Sequence, residues 1–265
     1  MKSPRLLFLV VLAGLAACQK TVHLNLDTTS PQLVIDGQVT NLAGPYTVKL
    51  STSVDYYAND TFPPVTGATV IIADVNANFA DTLTETSPGL YKTHTIQGIS
   101  GHTYGLAVTS SGNTYTAMST MPAPVNLDSI TFYNASFGGK NKDIQPIPNF
   151  QDPAGVANYY QFVVYDNGKE VQKTFVFSDR LSDGRYIHEP LQTDTSDIHP
   201  FDQCRIDMYC IDKNVYNYFY EVTQITESQA GNAAPGNPTT NITGGALGIF
   251  SAHTVSSKTA NVPNL

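Results

Sequence analysis

Tryptophan is absent from the 265 residues, and charge is scarce: 14% of the chain is Asp, Glu, Lys or Arg, against roughly 25% in an average soluble protein. The missing Trp removes the ring most often used as a platform for sugars. Scarce charge beside 41% hydrophobic residues argues against disorder, which goes with many charges and few aromatics. Basic residues are the scarcer sign. Fourteen Lys and Arg against twenty-two Asp and Glu give a net charge of −8, so the chain lacks the basic footprint of a nucleic-acid binder. The catalytic signatures are missing too. There is no Gly-x-Ser-x-Gly elbow, no phosphate-binding loop, and no dinucleotide fingerprint with the βαβ alternation it needs. His188-Glu189-Pro190-Leu191-Gln192 opens like a zinc-protease motif, but Gln192 stands where the second His is required. Pro190 would also break the helix that brings two His onto one face. The six His are scattered without ligand spacing and are expected at the surface or hydrogen-bonded. No catalytic residue and no cofactor is expected, and the chain is not expected to be an enzyme.

Long apolar runs are nearly absent as well. The one that exists covers residues 6–17, after a short basic start with Lys2 and Arg5. It is shorter than the roughly 20 residues a membrane-spanning helix needs, and fits a secretory signal instead. The run closes on Leu15-Ala16-Ala17-Cys18, which resembles the bacterial lipobox, in which the Cys is acylated and becomes the new N-terminus. Three acyl chains at about 0.8 kcal/mol per buried methylene anchor a protein stably, where one is marginal. Cys18 is therefore the expected lipidation site. Cleavage would remove Lys2 and Arg5 and no acid, so the mature charge becomes 12 − 22 = −10. A body of that sign is repelled by anionic headgroups, which leaves the lipid as the membrane contact. Residue 19 is Gln rather than the Asp associated with inner-membrane retention. That points to the outer membrane and leaves the periplasmic or surface leaflet open.

The remaining composition favours strands. Thirty Thr, fifteen Tyr and twelve Phe suit pleated, half-buried surfaces, and nineteen Gly, nineteen Asn and sixteen Pro supply frequent turns. Short alternating runs recur from residue 33 to 120, punctuated by Pro63-Pro64, Pro88-Gly89, Ser100-Gly101 and Gly112-Asn113. They predict a β-sandwich of about 90 residues, closed by Met121-Pro122-Ala123-Pro124. The expected organisation is a signal peptide at 1–17, a lipidated arm at 18–30, a first β domain at 31–122 and a second at 125–265. In the second, strands are expected at 127–133, 159–166, 171–177, 201–211 and 245–250, with loops at 137–150 and 231–240. One helix is predicted near 213–225, with Asp212 at its N-cap and apolar residues at three-to-four spacing. The fold class is thus all-β: two β-sandwich-like domains, the second with one packed α-helix.

Three groups of side chains remain as candidates. Cys204 and Cys210 share one alternating track with Ile206 and Met208. Six residues of strand span about 20 Å, beyond disulfide reach, so two buried thiols are expected. Asp179 and Asp183, in a turn-rich acidic stretch, are calcium candidates by virtue of their hard oxygens. Their spacing is not that of an EF-hand, and solvated turn acids are the plainer reading. Tyr56 and Tyr57, ahead of Phe62-Pro63-Pro64, are the tyrosine pair best placed for exposure and hence for binding.

Several stretches carry a further signal, among them Leu33-Val34-Ile35-Asp36-Gly37, Gly44-Pro45-Tyr46-Thr47-Val48-Lys49-Leu50-Ser51 and Pro64-Val65-Thr66-Gly67-Ala68-Thr69-Val70. Further along come Ser87-Pro88-Gly89-Leu90-Tyr91, Asp152-Pro153-Ala154-Gly155-Val156-Ala157-Asn158-Tyr159-Tyr160 and Asn237-Pro238-Thr239-Thr240-Asn241-Ile242-Thr243-Gly244-Gly245-Ala246-Leu247-Gly248. Together they resemble a family of Bacteroidetes outer-membrane lipoproteins described as domain of unknown function 4249. The resemblance implies a lipid anchor, an Ig-like first domain and association with TonB-dependent outer-membrane receptors. It implies no catalytic residue. Two expectations follow. One is a non-catalytic lipoprotein that assists such a receptor or captures a ligand for it; the other is a structural or adhesion lipoprotein using the sandwiches as spacers.

Overall fold

The structure, a computed structural model, describes residues 30–54, 62–136, 143–194, 197–227 and 236–265. Cys18, Tyr56 and Tyr57 lie outside the described residues. The chain is mainly β. The first half holds β1 (Leu33–Thr40), β2 (Thr47–Thr52), β3 (Thr69–Asp74), β4 (Phe79–Thr82), β5 (Thr84–Ser87), β6 (Leu90–Lys92), β7 (Thr103–Ser110) and β8 (Asn113–Thr120). Beyond it come β9 (Ser129–Asn134), β10 (Ile144–Gln151), β11 (Tyr159–Asp166), β12 (Lys169–Glu170), β13 (Phe175–Ser178), β14 (Tyr186–Ile187) and β15 (Gln203–Cys210). Helix α1 (Lys213–Glu227), β16 (Ile242–Thr243) and β17 (Leu247–Asn261) complete the chain. No helix among the described residues is long and apolar enough to cross a membrane.

One large sheet organises residues 31–265, in the order β12-β11-β15-β17-β1-β2-β6-β5, with β13 also on β11. Its register shows which residues share a face. Ile35, Val39 and Phe250 point one way, as do their counterparts Tyr160, Phe162, Cys204, Ile206 and Met208 in the other half. On that face lie two apolar cores. The first is closed by the five-stranded sheet β16-β8-β7-β3-β4, and the second by the three-stranded sheet β14-β10-β9. The opposite face carries α1, through Val215 and Phe219 against Ile249, Tyr159 and Tyr209. The alternation of buried and exposed positions follows from the two-residue period of a strand. The threonines on exposed faces pair across strands, as Thr103 with Thr120 at 2.9 Å and Thr116 with Thr243 at 2.7 Å, a recurrent source of sheet stability.

β17 joins the two halves. Residues 247–253 run parallel to β1, and residues 254–261 run antiparallel to β15. The final strand was expected to end at residue 250, where plain alternation stops. It continues to Asn261 because β15 takes over the pairing from residue 254, and alternation is lost before that where the core covers one face and α1 the other: Ser251, Ala252, His253 and Thr254 are all buried. Ile242, Ala246, Phe250 and Ala252, far along the sequence, therefore belong to the first core. Of the loop expected over 137–150, residues 137–142 lie outside the described residues, and residues 144–151 form β10 instead. Pro146 and Pro148 suggested a loop, but they pair only with β9 while β14 meets β10 at Phe150 and Gln151. At an edge position the missing N–H costs no ladder bond.

The helix starts where expected. Asp212 Oδ1 accepts the N–H groups of Asn214 at 2.8 Å and Val215 at 3.0 Å, as an N-cap side chain does. Its other oxygen accepts from Ser119 Oγ at 2.5 Å, so the cap also ties the helix to β8.

Candidate functional site

The chemistry-bearing side chains converge where β11 begins. β13 ends at Ser178, and a short 3-10 turn follows over Asp179–Leu181. Facing it is the loop between β10 and β11. Asp179 Oδ2 accepts the N–H of Asn158 at 2.8 Å, and Asp183 Oδ1 accepts that of Gly155 at 2.8 Å. Asp152, which the sequence reading did not single out, accepts from Tyr160 OH at 2.5 Å and from Gly184 N at 3.0 Å. Gly184 is required here: its φ is +70°, and an added Cβ would stand 2.7 Å from that of Ala154, closer than two carbons can approach.

Asp152, Asp179 and Asp183 thus come together, with carboxylate oxygens within 4.8 Å of one another. Asp152 and Asp179 are buried and Asp183 is exposed. Hard oxygens in such a group are of the kind calcium takes, which needs six to eight. Each carboxylate also accepts at least one donor that holds the two loops together, so the arrangement works as a loop staple without any further partner. Burial first, and then the neighbouring Asp152 carboxylate, push the Tyr160 hydroxyl well above its ordinary value, so it stays a hydrogen-bond donor.

Beside the triad opens a cleft of about 880 Å³. One side is the turn with Arg180 and Ser182; the other is the first two turns of α1, with Lys213, Tyr216 and Tyr220. Tyr159, Tyr216 and Tyr220 form a ladder of rings, with centroids 5.0 and 5.8 Å apart. Arg180, Arg185 and Lys213 all line the cleft and form no ion pair among the described residues. A smaller cavity of about 290 Å³, lined by Lys173, Phe175, Ile187 and Leu191, continues from it past Tyr220. Sequence reasoning missed this groove. The three-to-four spacing of 213, 216 and 220 could have placed them on one helix face, but not the turn opposite.

The other candidates fall elsewhere. Cys204 and Cys210 are free and buried on the core face of β15. Burial, followed by the Asp166 charge, raises the Cys204 thiol to about 12, which makes it a poor nucleophile. His94 and His102 sit on the carboxylates of Asp81 and Asp74 at 3.1 and 2.8 Å. His253 differs: it is buried beneath the helix layer, stacked on Tyr209 at 4.5 Å, with Nδ1 2.9 Å from Ser251 Oγ.

No curated protein matches the chain. A family model does, over residues 19–259. That span takes in both cores, the acidic triad and the cleft, and by it the chain belongs to the family described as domain of unknown function DUF4249.

Proposed function

We propose that the protein is a non-catalytic, lipid-anchored lipoprotein of the outer membrane that serves a TonB-dependent receptor as an accessory or ligand-capture partner. The observation that carries this reading is the N-terminal sequence: a basic start, an apolar run over 6–17 and Leu15-Ala16-Ala17-Cys18. Acylation of Cys18 would tether an acidic body whose own surface is repelled by anionic lipid. An open groove whose cations form no ion pair among the described residues, rather than an enclosed pocket of converging acids and bases, suits capture better than catalysis. The family resemblance supplies the receptor as the class of partner.

The test is purification from the native envelope in mild detergent through a C-terminal tag, with mass spectrometry of what accompanies the protein. A near-stoichiometric TonB-dependent receptor supports the reading. Recovery of the protein alone, repeated after cross-linking, overturns it in favour of a structural or adhesion lipoprotein. The anchor is tested separately: Cys18→Ser should abolish incorporation of labelled palmitate, and labelling that persists would refute acylation there.

A further inference from the structure

We infer that the groove beside β13 takes an extended segment of a partner protein, of alternating acidic and apolar residues, as an added strand of the large sheet. Among the described residues β13 pairs with β11 and with no other strand. In an antiparallel pair alternate residues turn their N–H and C=O away from the partner, so half of the backbone groups of residues 175–178 face the groove. The two cavities follow that edge residue by residue. The smaller is lined by 173–177 and the larger by 176–182, so the groove runs the length of the strand.

The walls fit a strand rather than a compact ligand. Register puts Phe175 and Phe177 on the core face of the sheet, and Val176 and Ser178 on the helix face. The groove therefore opens at the rim of the middle layer, between two jaws. The core-side jaw is Ile187, Pro190 and Leu191; the helix-side jaw is Lys213, Tyr216 and Tyr220. Successive residues of an added strand point to opposite jaws. One set would meet aliphatic side chains. The other would meet tyrosine rings and the cations Arg180 and Lys213, with Lys173 at the far end. Glu189 is the one exposed acid along the lining, in a chain that carries −8 overall. Main-chain bonds to the edge give affinity and alternate side chains give selectivity, as in other strand-addition complexes. Exposed edges are usually guarded by charge; here the cations stand at the ends and leave 174–178 open.

The inference does not rest on the receptor reading, since the segment could belong to another protein. The probes are acetyl-Asp-Val-Asp-Val-Asp-Val-amide, its block isomer Asp-Asp-Asp-Val-Val-Val, a version N-methylated at every residue, and one with Lys for Asp. Each is titrated into the full chain in detergent by nuclear magnetic resonance, up to millimolar concentration. The alternating peptide should bind saturably, at least tenfold tighter than each control, and should slow amide exchange within 174–178. Arg180→Glu and Lys213→Glu should each weaken it at least tenfold with the fold unchanged by circular dichroism. Absence of saturable binding, or binding indifferent to N-methylation or to the order of residues, overturns the inference. So does a dimer in sedimentation that already protects 174–178, which would make a second copy the occupant.

Discussion

The two halves of the large sheet share one face and one β17, yet they use charge differently. From residue 31 to 122 there are two Lys and no Arg; from 125 onward there are six Lys and three Arg. In the first half the buried acids serve the backbone. Asp81 accepts from the N–H groups of His94, Thr95 and Ile96 at 2.8, 2.7 and 3.0 Å, and Asp74 from Ala77 at 2.9 Å. In the second half buried acids also staple loops, and Arg205 pairs with Asp207, but Arg180, Arg185 and Lys213 form no ion pair among the described residues. One region spends its polar groups on its own loops, and the other keeps some facing solvent. On the proposed reading the first is a support and the second is where a ligand is met.

The largest effect should come from testing whether the regions can be separated at all. In β17, Gly248 has a φ of +98°, and a Cβ there would stand 2.0 Å from the carbonyl oxygen of Ile35. Gly248→Val should therefore cost about 4 kcal/mol or more, the range of severe core and backbone lesions. The substitution strikes the first core. Cys204 reports on the second, because its buried thiol reacts only on opening. If the shared strand makes the halves one cooperative unit, thiol labelling and circular dichroism will move to the same lower denaturant midpoint. A Cys204 that stays protected after the first core has melted would show two independent regions.

Acid should then distinguish the halves by where each loses stability. Burial holds the His253 imidazole down at about 4, only partly countered by its bond with Ser251, against about 6.5 in an unfolded chain. Between those values the unfolded chain binds a proton that the fold refuses, so stability falls as pH falls from about 6.5 to 4. The loss should be about 3 kcal/mol. His253→Phe keeps a ring on Tyr209 and should flatten that slope; an unchanged slope would assign it to other groups.

Asp81 acts lower on the scale and with a smaller amplitude. Burial raises its carboxyl, but the three N–H groups and His94 outweigh it and hold the value at about 2. A depressed carboxylate stabilises the fold above its unfolded value near 4 and loses that contribution as pH falls toward 2. The amount is roughly 2 kcal/mol. Asp81→Asn should remove this second, more acidic step while leaving the His253 step in place. Denaturant midpoints measured from pH 7 to 2 separate the two.

Legibility did not follow that division: β9, β11, β15 and α1 of the second half stand close to where they were expected. Strands β1 to β3 and β6 to β8 were readable because most of them alternate buried with more exposed positions and turn at Gly, Pro or Asn; β5, with no buried residue, left no such period and was missed. The helix was readable from Asp212 and the spacing of Val215, Tyr216 and Phe219. β10 was hidden by Pro146 and Pro148, whose meaning depends on which edge is free. β17 beyond residue 250 was hidden because cover on both faces buries Ser251, His253 and Thr254, and the rest is held by pairing with the distant β15. The candidate site was half visible. Asp179 and Asp183 stood out as turn acids, but Asp152 and Tyr160 reach them only through the fold. The groove combines Pro148 with residues from 157–162, 173–192 and 213–223, segments whose approach no local pattern encodes.

The smallest effect is the sharpest statement about the second region. Lys213 opens α1 and is exposed, and it has no ion-pair partner among the described residues. A cation is the wrong sign for a helix N-terminus, where the backbone presents partial positive charge and acids gain about 0.3–1 kcal/mol. No acid occupies the first turn of α1. Lys213→Glu should therefore leave stability unchanged or raise it by about 0.5 kcal/mol, read as a small upward shift in urea midpoint at low salt that fades as salt is added. A clear loss of stability would mean that Lys213 is a structural residue of the helix. A gain would mean that the chain keeps a mildly unfavourable cation at the mouth of its groove, where folding has no use for it and an acidic strand would.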